Sequence, residues 1–332
     1  CPRALGTVTA MARDAGGEER AGVPLTNLDQ PLFDGAGATK RDLVDYFDGV
    51  RDRLLPELAE RPLSVIRVHR GQDAFMQKNV PKGTPDWVRT VGLWAETSKR
   101  EVHYAICDDR RTLVWFANQR AVELHPSLAR LPDLDRPTHL VIDLDPPEGD
   151  GFQAAVAVVH LVRAVLDEVG LAGAVKTSGA KGLHVFVPVE ASVDGLAAAQ
   201  ATRALAARVE RLDPSIATTA FVKDDREGKV FVDSTRGAGS TVVSAYSPRL
   251  RVGVPVSFPV AWDDVDDVAP GDVTILNALE RLGDRDPWAE AMPAPQALPD
   301  DLVAEGGELP VPRVAAMHEG KRRKRAEAKP DA

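Results

Sequence analysis

The chain has 332 residues, of which 44% are hydrophobic and 27% charged, and it carries a formal net charge of −9. That balance describes an ordinary folded protein with ample core and argues against a surface coated with positive charge, although a local basic groove is compatible with it. Two cysteines, Cys1 and Cys107, are too few for a disulfide framework or a cysteine zinc site.

In chain order, residues 1–22 are rich in Gly, Ala and charge without periodicity and read as disordered. No run approaches the roughly 18 apolar residues of a membrane span. With no signal pattern at the start, the expected location is cytoplasmic, without membrane contact. A helix is predicted from Thr39, a cap with Asp42 three residues on, because Leu43, Tyr46, Phe47, Val50, Leu54 and Leu58 recur at helical spacing. Strands are predicted at Leu63 to Val68, Val102 to Cys107 and Thr112 to Phe116, with Cys107 a small core residue. From Leu140 the pattern becomes strand, helix, two strands, helix and strands. The helices are expected over Phe152 to Val169 and Val193 to Leu212. The strands are expected at Ala174 to Thr177, Leu183 to Val189, Thr218 to Val222, Lys229 to Asp233 and Thr241 to Ala245, before a last helix over Val273 to Leu282. One domain over 23–287 is the consequence, followed by a Pro- and Ala-rich, then basic, disordered tail over 288–332 ending in Lys321-Arg322-Arg323-Lys324-Arg325.

Three segments carry chemistry. Asp143 and Asp145 alternate with Leu144 at the end of an apolar run, so in a strand both carboxylates face one side. Like charges so close ionise together cheaply only around a cation, and oxygen ligands suit Mg²⁺ or Mn²⁺. Asp233 ends another strand-like run, Val230 to Asp233, and in the same sheet would complete a cradle for two ions. The segment Ser178-Gly179-Ala180-Lys181-Gly182-Leu183-His184 reads as a phosphate-binding turn in which Ser178, Lys181 and His184 add donors and charge. It lacks the Gly-Lys-Ser/Thr ending of a P-loop, which disfavours a P-loop NTPase.

The ordered set Asp-Leu-Asp-Pro, Lys-Thr-Ser-Gly-x-Lys-Gly-Leu-His-Val (from Lys176), Val-Phe-Val-Asp and Ala-Tyr-Ser-x-Arg (Ala245 to Arg249) resembles the polymerase domain of bacterial ligase D, in the archaeo-eukaryotic primase superfamily. The resemblance extends to Leu25 to Asp29, Phe75 to Lys78, Gly83 to Val88 and Glu123 to Pro126. It implies an α/β (α+β) primase-like fold with a central mixed or antiparallel sheet flanked by helices. The implied activity is metal-dependent addition of ribo- or deoxyribonucleotides to DNA 3′ ends during gap filling and end joining. Asp143, Asp145 and Asp233 would hold two Mn²⁺ or Mg²⁺ ions, and His125, Ser178, His184 and Arg249 the incoming nucleoside triphosphate. Asn27 and Lys40 match residues that bind a downstream 5′-phosphate, Phe75 an aromatic that stacks on template DNA, and Lys78 a basic position beside it. The implied partners are gapped DNA ends bearing a 5′-phosphate, Ku and a DNA ligase, with a location at the nucleoid.

Two departures stand out. Gln30 occupies a position where the family usually has Lys, and the loop Ser234 to Ser240 is one residue shorter than the family pattern and lacks its Lys. Arg236 brings charge into that loop at a different position. They define a rival reading, a diverged paralogue that binds DNA ends with little or no synthesis. A metal-dependent phosphodiesterase using the same cradle is the enzyme rival. No Lys-x-Asp-Gly ligase motif follows, so a stand-alone polymerase domain is expected.

Overall fold

The computed structural model describes residues 17–312, except 70–72, 97 and 150, together with 314 and 317. It opens with a hairpin, β1 (Glu19–Arg20) and β2 (Val23–Pro24), whose turn residues Ala21 and Gly22 take φ +52° and +73°. Two positive φ values match the twist of paired strands, so the end of the segment read as disordered is folded. Residues 1–16 lie outside the described residues.

The helix α1 (Lys40–Leu58) begins where the capping pattern placed it. The Thr39 side chain accepts from the Asp42 N–H, and Asp42 accepts the Thr39 N–H at 2.6 Å. Strands β3 (Leu63–Arg67), β4 (Phe75–Gln77), β5 (Thr90–Ala95) and β6 (Arg100–Ala105) follow. The run Thr112 to Phe116, expected as a strand, is instead part of α2 (Arg110–Asn118). Asp109 caps it by accepting from the Thr112 N–H at 3.0 Å, a local signal that overrides the β-preferring side chains. Cys107 is fully buried just after β6, in keeping with a core role.

The second half runs through β7 (Ala121–Pro126), the short β8 (Ala129–Arg130) and β9 (Asp133–Pro137), β10 (His139–Asp145) and α3 (Phe152–Glu168). Next come β11 (Ala174–Thr177), β12 (Leu183–Pro188), α4 (Gly195–Leu212), β13 (Ala217–Thr218) and β14 (Val230–Asp233). The strand expected to reach Val222 stops at Thr218 and passes into a 3₁₀ turn over Lys223–Arg226. Thr241 to Ala245 makes one isolated bridge, Thr241 to Ser127, rather than a strand.

After β15 (Pro259–Val260), the last predicted helix contracts to α5 (Ala278–Leu282), and α6 (Pro287–Ala291) and α7 (Asp300–Glu308) lie where a disordered tail was expected. Leu302 of α7 is fully buried, and Arg208 of α4 pairs with Glu305 at 2.7 Å. Gly306 lets the two helix backbones meet at Gln200, a contact that a Cβ would block. The ordered unit therefore continues past 288, while Lys321 to Arg325 lies outside the described residues. Among the described residues no helix is long and apolar enough to cross a membrane.

Two sheets organise the chain. The six-stranded sheet has the order β13-β14-β10-β12-β11-β15, antiparallel except for the parallel β13–β14 pair, which makes it the mixed sheet expected. A second sheet joins β4, β3, β6 and β5, with β7 paired to β3. Alternation along the first sheet sorts its residues. Leu140, Ile142, Leu144, Val185, Val187 and Val232 form one apolar core with residues of α3, α4 and α7, whereas Val141 and Phe186 belong to the other core. Asp143 and Asp145 share the face of Val141, as His184 shares that of Phe186.

Candidate active site

Register brings the acidic residues together. Asp143 lies opposite Asp233 on β14 and opposite His184 on β12, so the three side chains stand side by side on one face. Asp145 follows two residues along β10. The crossing from β11 to β12 is a tight turn in which Ser178 Oγ accepts from the N–H groups of Ala180 and Gly182, at 3.2 and 3.1 Å. These two N–H groups therefore bond within the turn. Gly179, at φ +65°, lies so close to Arg249 and to the backbone at Ser257 that an added Cβ would sit 2.7–2.8 Å from them.

These elements frame a cleft of about 610 Å³ lined by Asp143, Asp145, His125, Ser178, Lys181, His184 and Arg249, and by Lys78. Asp233 is buried beside Asp143. Lys181 is exposed and lies 3.5 Å from Glu148. Phe75 is also exposed, on β4, with its ring stacked 5.3 Å from that of His69. Asn27 and Lys40 are not part of this cleft. Asn27 is exposed at φ +54°, and Lys40 is buried with Nζ donating to the Thr26 carbonyl at 2.6 Å. Gln30 lines a separate cavity of about 1100 Å³ with Arg120, whose guanidinium donates to Gln30 Oε1 at 2.8 Å.

The carboxylates are held asymmetrically. Asp143 Oδ1 lies 3.3 Å from His184 Nε2, and Oδ2 accepts from Arg236 Nη2 at 2.8 Å. Asp233 Oδ1 accepts from the N–H and hydroxyl of Thr235 at 2.8 and 2.6 Å, while Oδ2 lies 3.3 Å from Arg236 Nε. Burial alone would raise Asp143, but His184 and the Arg236 guanidinium hold it well below the usual carboxylate range. Burial, then the charges of Asp143 and Asp233, push Asp145 up to about 6. The donor types thus fit a hard divalent ion, and Asp145 shows the crowding that such an ion relieves. Yet among the described residues no three His, Cys, Asp or Glu side chains are spaced to close on one ion. Arg236 stands between two of the acids.

Behind His184, the buried Lys176 lies 2.9 Å from Nδ1 and donates to Ser257 Oγ at 2.6 Å, while Ser257 donates to the Thr177 carbonyl at 2.9 Å. With Nδ1 accepting from Lys176, Nε2 carries the ring proton toward Asp143. Burial, with the Lys176 charge next, lowers His184 to about 4, so the ring is neutral at physiological pH.

Glu123 ties the other wall. Its Oε2 lies 2.8 Å from His125 Nε2 and 3.1 Å from Arg249 Nε, and its Oε1 accepts from the Leu250 N–H at 2.9 Å. Against the effect of burial, the His125 hydrogen bond and the Arg249 charge bring Glu123 down to about 2. Arg249 also donates to the Ser178 carbonyl, locking the glycine turn to this wall. Sequence reasoning quoted Glu123 and Lys176 inside motifs without giving them roles. Glu123 shares a strand face with His125, a spacing visible in the sequence, whereas Lys176 meets His184 through the β11–β12 pairing.

A family model described as LigD, primase-polymerase domain, matches residues 39–288. The chain belongs to the LigD primase-polymerase family. It is 31% identical over 299 residues to the multifunctional non-homologous end joining protein LigD of Mycolicibacterium smegmatis, covering 88% of this chain and 39% of that protein. The bifunctional LigD of Bacillus subtilis is 32% identical over 262 residues, 77% of this chain and 42% of that protein. The chain thus spans about two fifths of the length of these curated relatives. A solved polymerase domain of Mycobacterium tuberculosis ligase D in complex with DNA superimposes with a TM-score of 0.74 at 32% identity, covering 83% of this chain and 98% of that one. The LigD-type primase-polymerase fold follows from these matches.

Proposed function

We propose that the cleft adds nucleotides to DNA 3′ ends in gap filling and end joining, with Asp143, Asp145 and Asp233 as the metal-holding groups. The carrying observation is the register that sets Asp143 between Asp233 and His184 at the floor of a cleft walled by cationic and hydroxyl groups. Mn²⁺ or Mg²⁺ held by these carboxylates would supply activation of the attacking 3′-hydroxyl and neutralisation of the triphosphate. The chain's own residues do the rest. Arg249, steadied by Glu123, presents fixed positive charge to the nucleotide's phosphates, with His125 beside it on the same carboxylate. Neutral His184, oriented by Lys176, holds Asp143 through its N–H at the cleft floor, and Lys181 and Lys78 bring charge to the rim. Template DNA would stack on Phe75, and a downstream 5′-phosphate would seat near Asn27 and Lys40. Ku and a DNA ligase are the expected partners in the cell.

The deciding experiment is primer extension on gapped DNA carrying a downstream 5′-phosphate, with Mn²⁺ or Mg²⁺ and ribo- or deoxyribonucleotides. The Asp143→Ala/Asp145→Ala protein is the control. Extension by the parent chain and none by the control is the expected result; parent and control extending equally would sink the assignment. The second reading, an end-binding paralogue with little synthesis, is favoured by one observation, the Arg236 guanidinium on Asp143 and Asp233. DNA binding without extension under every metal would select it.

A further inference from the structure

The loop over 234–240 delivers its arginine, Arg236, into the carboxylate cradle. Asp143 and Asp233 are both buried, and each has one oxygen engaged by a neighbour built into the fold, Asp143 Oδ1 by His184 and Asp233 Oδ1 by Thr235. The remaining oxygen of each, Asp143 Oδ2 and Asp233 Oδ2, faces Arg236 at 2.8 and 3.3 Å. The oxygens left over for a metal are therefore the ones that one guanidinium covers. Asp145, the third acid, makes no side-chain hydrogen bond among the described residues and keeps its oxygens available.

We propose that Arg236 is a built-in counter-cation of the cradle, which a divalent ion must displace in order to bind. The inference rests on the reading of Asp143, Asp145 and Asp233 as metal ligands. Electrostatics supports it: a guanidinium and a divalent cation cannot share the same two oxygens without severe like-charge repulsion at such short range. The loop has the means to give way. Arg236 is about one-third exposed, with side-chain accessibility of 34%, against 10% and 9% for the two acids it covers. The following Gly237 and Gly239 have open space on the side where a Cβ would lie, whereas Ser240 is anchored by its carbonyl to the Leu128 N–H. Displaced from the acids, Arg236 remains on the wall of the cleft, where a triphosphate would offer it new oxygens. The ion and the nucleotide then exchange partners with one ion pair already present, so metal alone binds weakly and metal with nucleotide binds well.

The test is Mn²⁺ binding read from the electron paramagnetic resonance of the free ion, with and without a non-hydrolysable nucleoside triphosphate. It uses the parent chain, Arg236→Gln, and Arg236→Gln combined with Asp145→Asn. Arg236→Gln is expected to bind Mn²⁺ at least tenfold more tightly than the parent without nucleotide, and to lose most of the gain that nucleotide gives the parent. A Kd within twofold of the parent's, or weaker, overturns the proposal. Thermal melting supplies a second readout: the variant should melt below the parent without metal and gain more from added Mn²⁺. Equal gains by both proteins would also overturn it. The double variant separates the two levels. Loss of its Mn²⁺ binding keeps the cradle as the metal site whatever Arg236 does, whereas full retention removes the metal reading itself, and the displacement idea with it.

Discussion

The carboxylate cradle and the region around Lys40 treat charge in opposite ways. In the cradle, three acids crowd together and the fold answers with its own cation, Arg236, on two of them. At Lys40 the ammonium is buried against the carbonyl and hydroxyl of Thr26, at 2.6 and 3.4 Å, both neutral oxygens. Burial and the nearby charge of Arg120 lower its pKa to about 8. A buried charge held by neutral groups is expensive, and an incoming anion relieves it. On the proposed function the difference corresponds to the ligand of each region: an ion that must compete at the cradle, and a phosphate that would meet a buried ammonium held by neutral oxygens at Lys40.

The sharpest break of this contrast is removal of an acid. Asp145→Asn should abolish nucleotide addition while leaving the melting temperature of the metal-free chain unchanged or raised, because Asp145 is the acid that its neighbours destabilise. Extension assays and thermal melting check the two halves. Glu123→Gln comes next. It leaves Arg249 and His125 without the charge that orients them, and groups of this supporting kind typically cost ~10–100-fold in affinity when changed. The nucleotide KM should rise within that range, with kcat moving less and DNA binding holding. A fall in kcat at constant KM would place Glu123 in the chemistry rather than in nucleotide seating.

The cradle was largely legible in the sequence, because a period of two and an apolar run fix which face a strand residue takes. Asp143, Asp145 and Asp233 needed only the right pairing to meet, and β10–β14 supplies it. Arg236 was visible as a charge in an irregular loop, but no periodicity says where a loop arginine reaches. Glu123 and Lys176 were hidden differently, since their roles depend on contacts with His125, Arg249 and His184, two of them 126 and 8 residues away in sequence. Long-range packing also explains the misread ends. The run 300–308 has a short apolar stripe that becomes a stable helix only against α4, where Leu302 is buried and Gly306 permits close approach. The Lys40 region was the least legible, because it depends on Arg120 arriving from the turn between α2 and β7.

Two smaller effects probe that region. Since Lys40 loses its proton near pH 8, the preference for gapped DNA with a 5′-phosphate over DNA without one should decline as pH rises from about 7 to 9. Lys40→Met should show a small preference that does not change with pH, as read by fluorescence anisotropy. The sign for stability is the reverse. An unfolded lysine keeps its proton up to about 10.4, so between pH 8 and that value the unfolded chain binds more protons. Stability gains from rising pH there, and Lys40→Met removes this gain. A phosphate preference that rises through pH 8 would detach Lys40 from phosphate binding.

Gln30→Lys, which adds a positive charge beside Arg120, is expected to have the smallest effect. In the present arrangement Gln30 Oε1 accepts from Arg120 Nη2 at 2.8 Å, and Arg120 also donates to the carbonyls of Pro31 and Leu32. A lysine at position 30 adds one positive charge but removes that acceptor and sets an ammonium against the guanidinium. The gain toward a phosphate and the new repulsion act at similar range, so the two nearly offset. Affinity for 5′-phosphorylated gapped DNA should therefore change by less than about threefold, within the ~1 kcal/mol typical of partly exposed ion pairs. Arg120→Ala should lose more than Gln30→Lys gains, because it removes a charge together with the clamp on the Pro31 and Leu32 carbonyls. If Gln30→Lys instead gains tenfold while Arg120→Ala changes nothing, the charge at position 30 is what this region lacks, and Arg120 serves only to hold the loop.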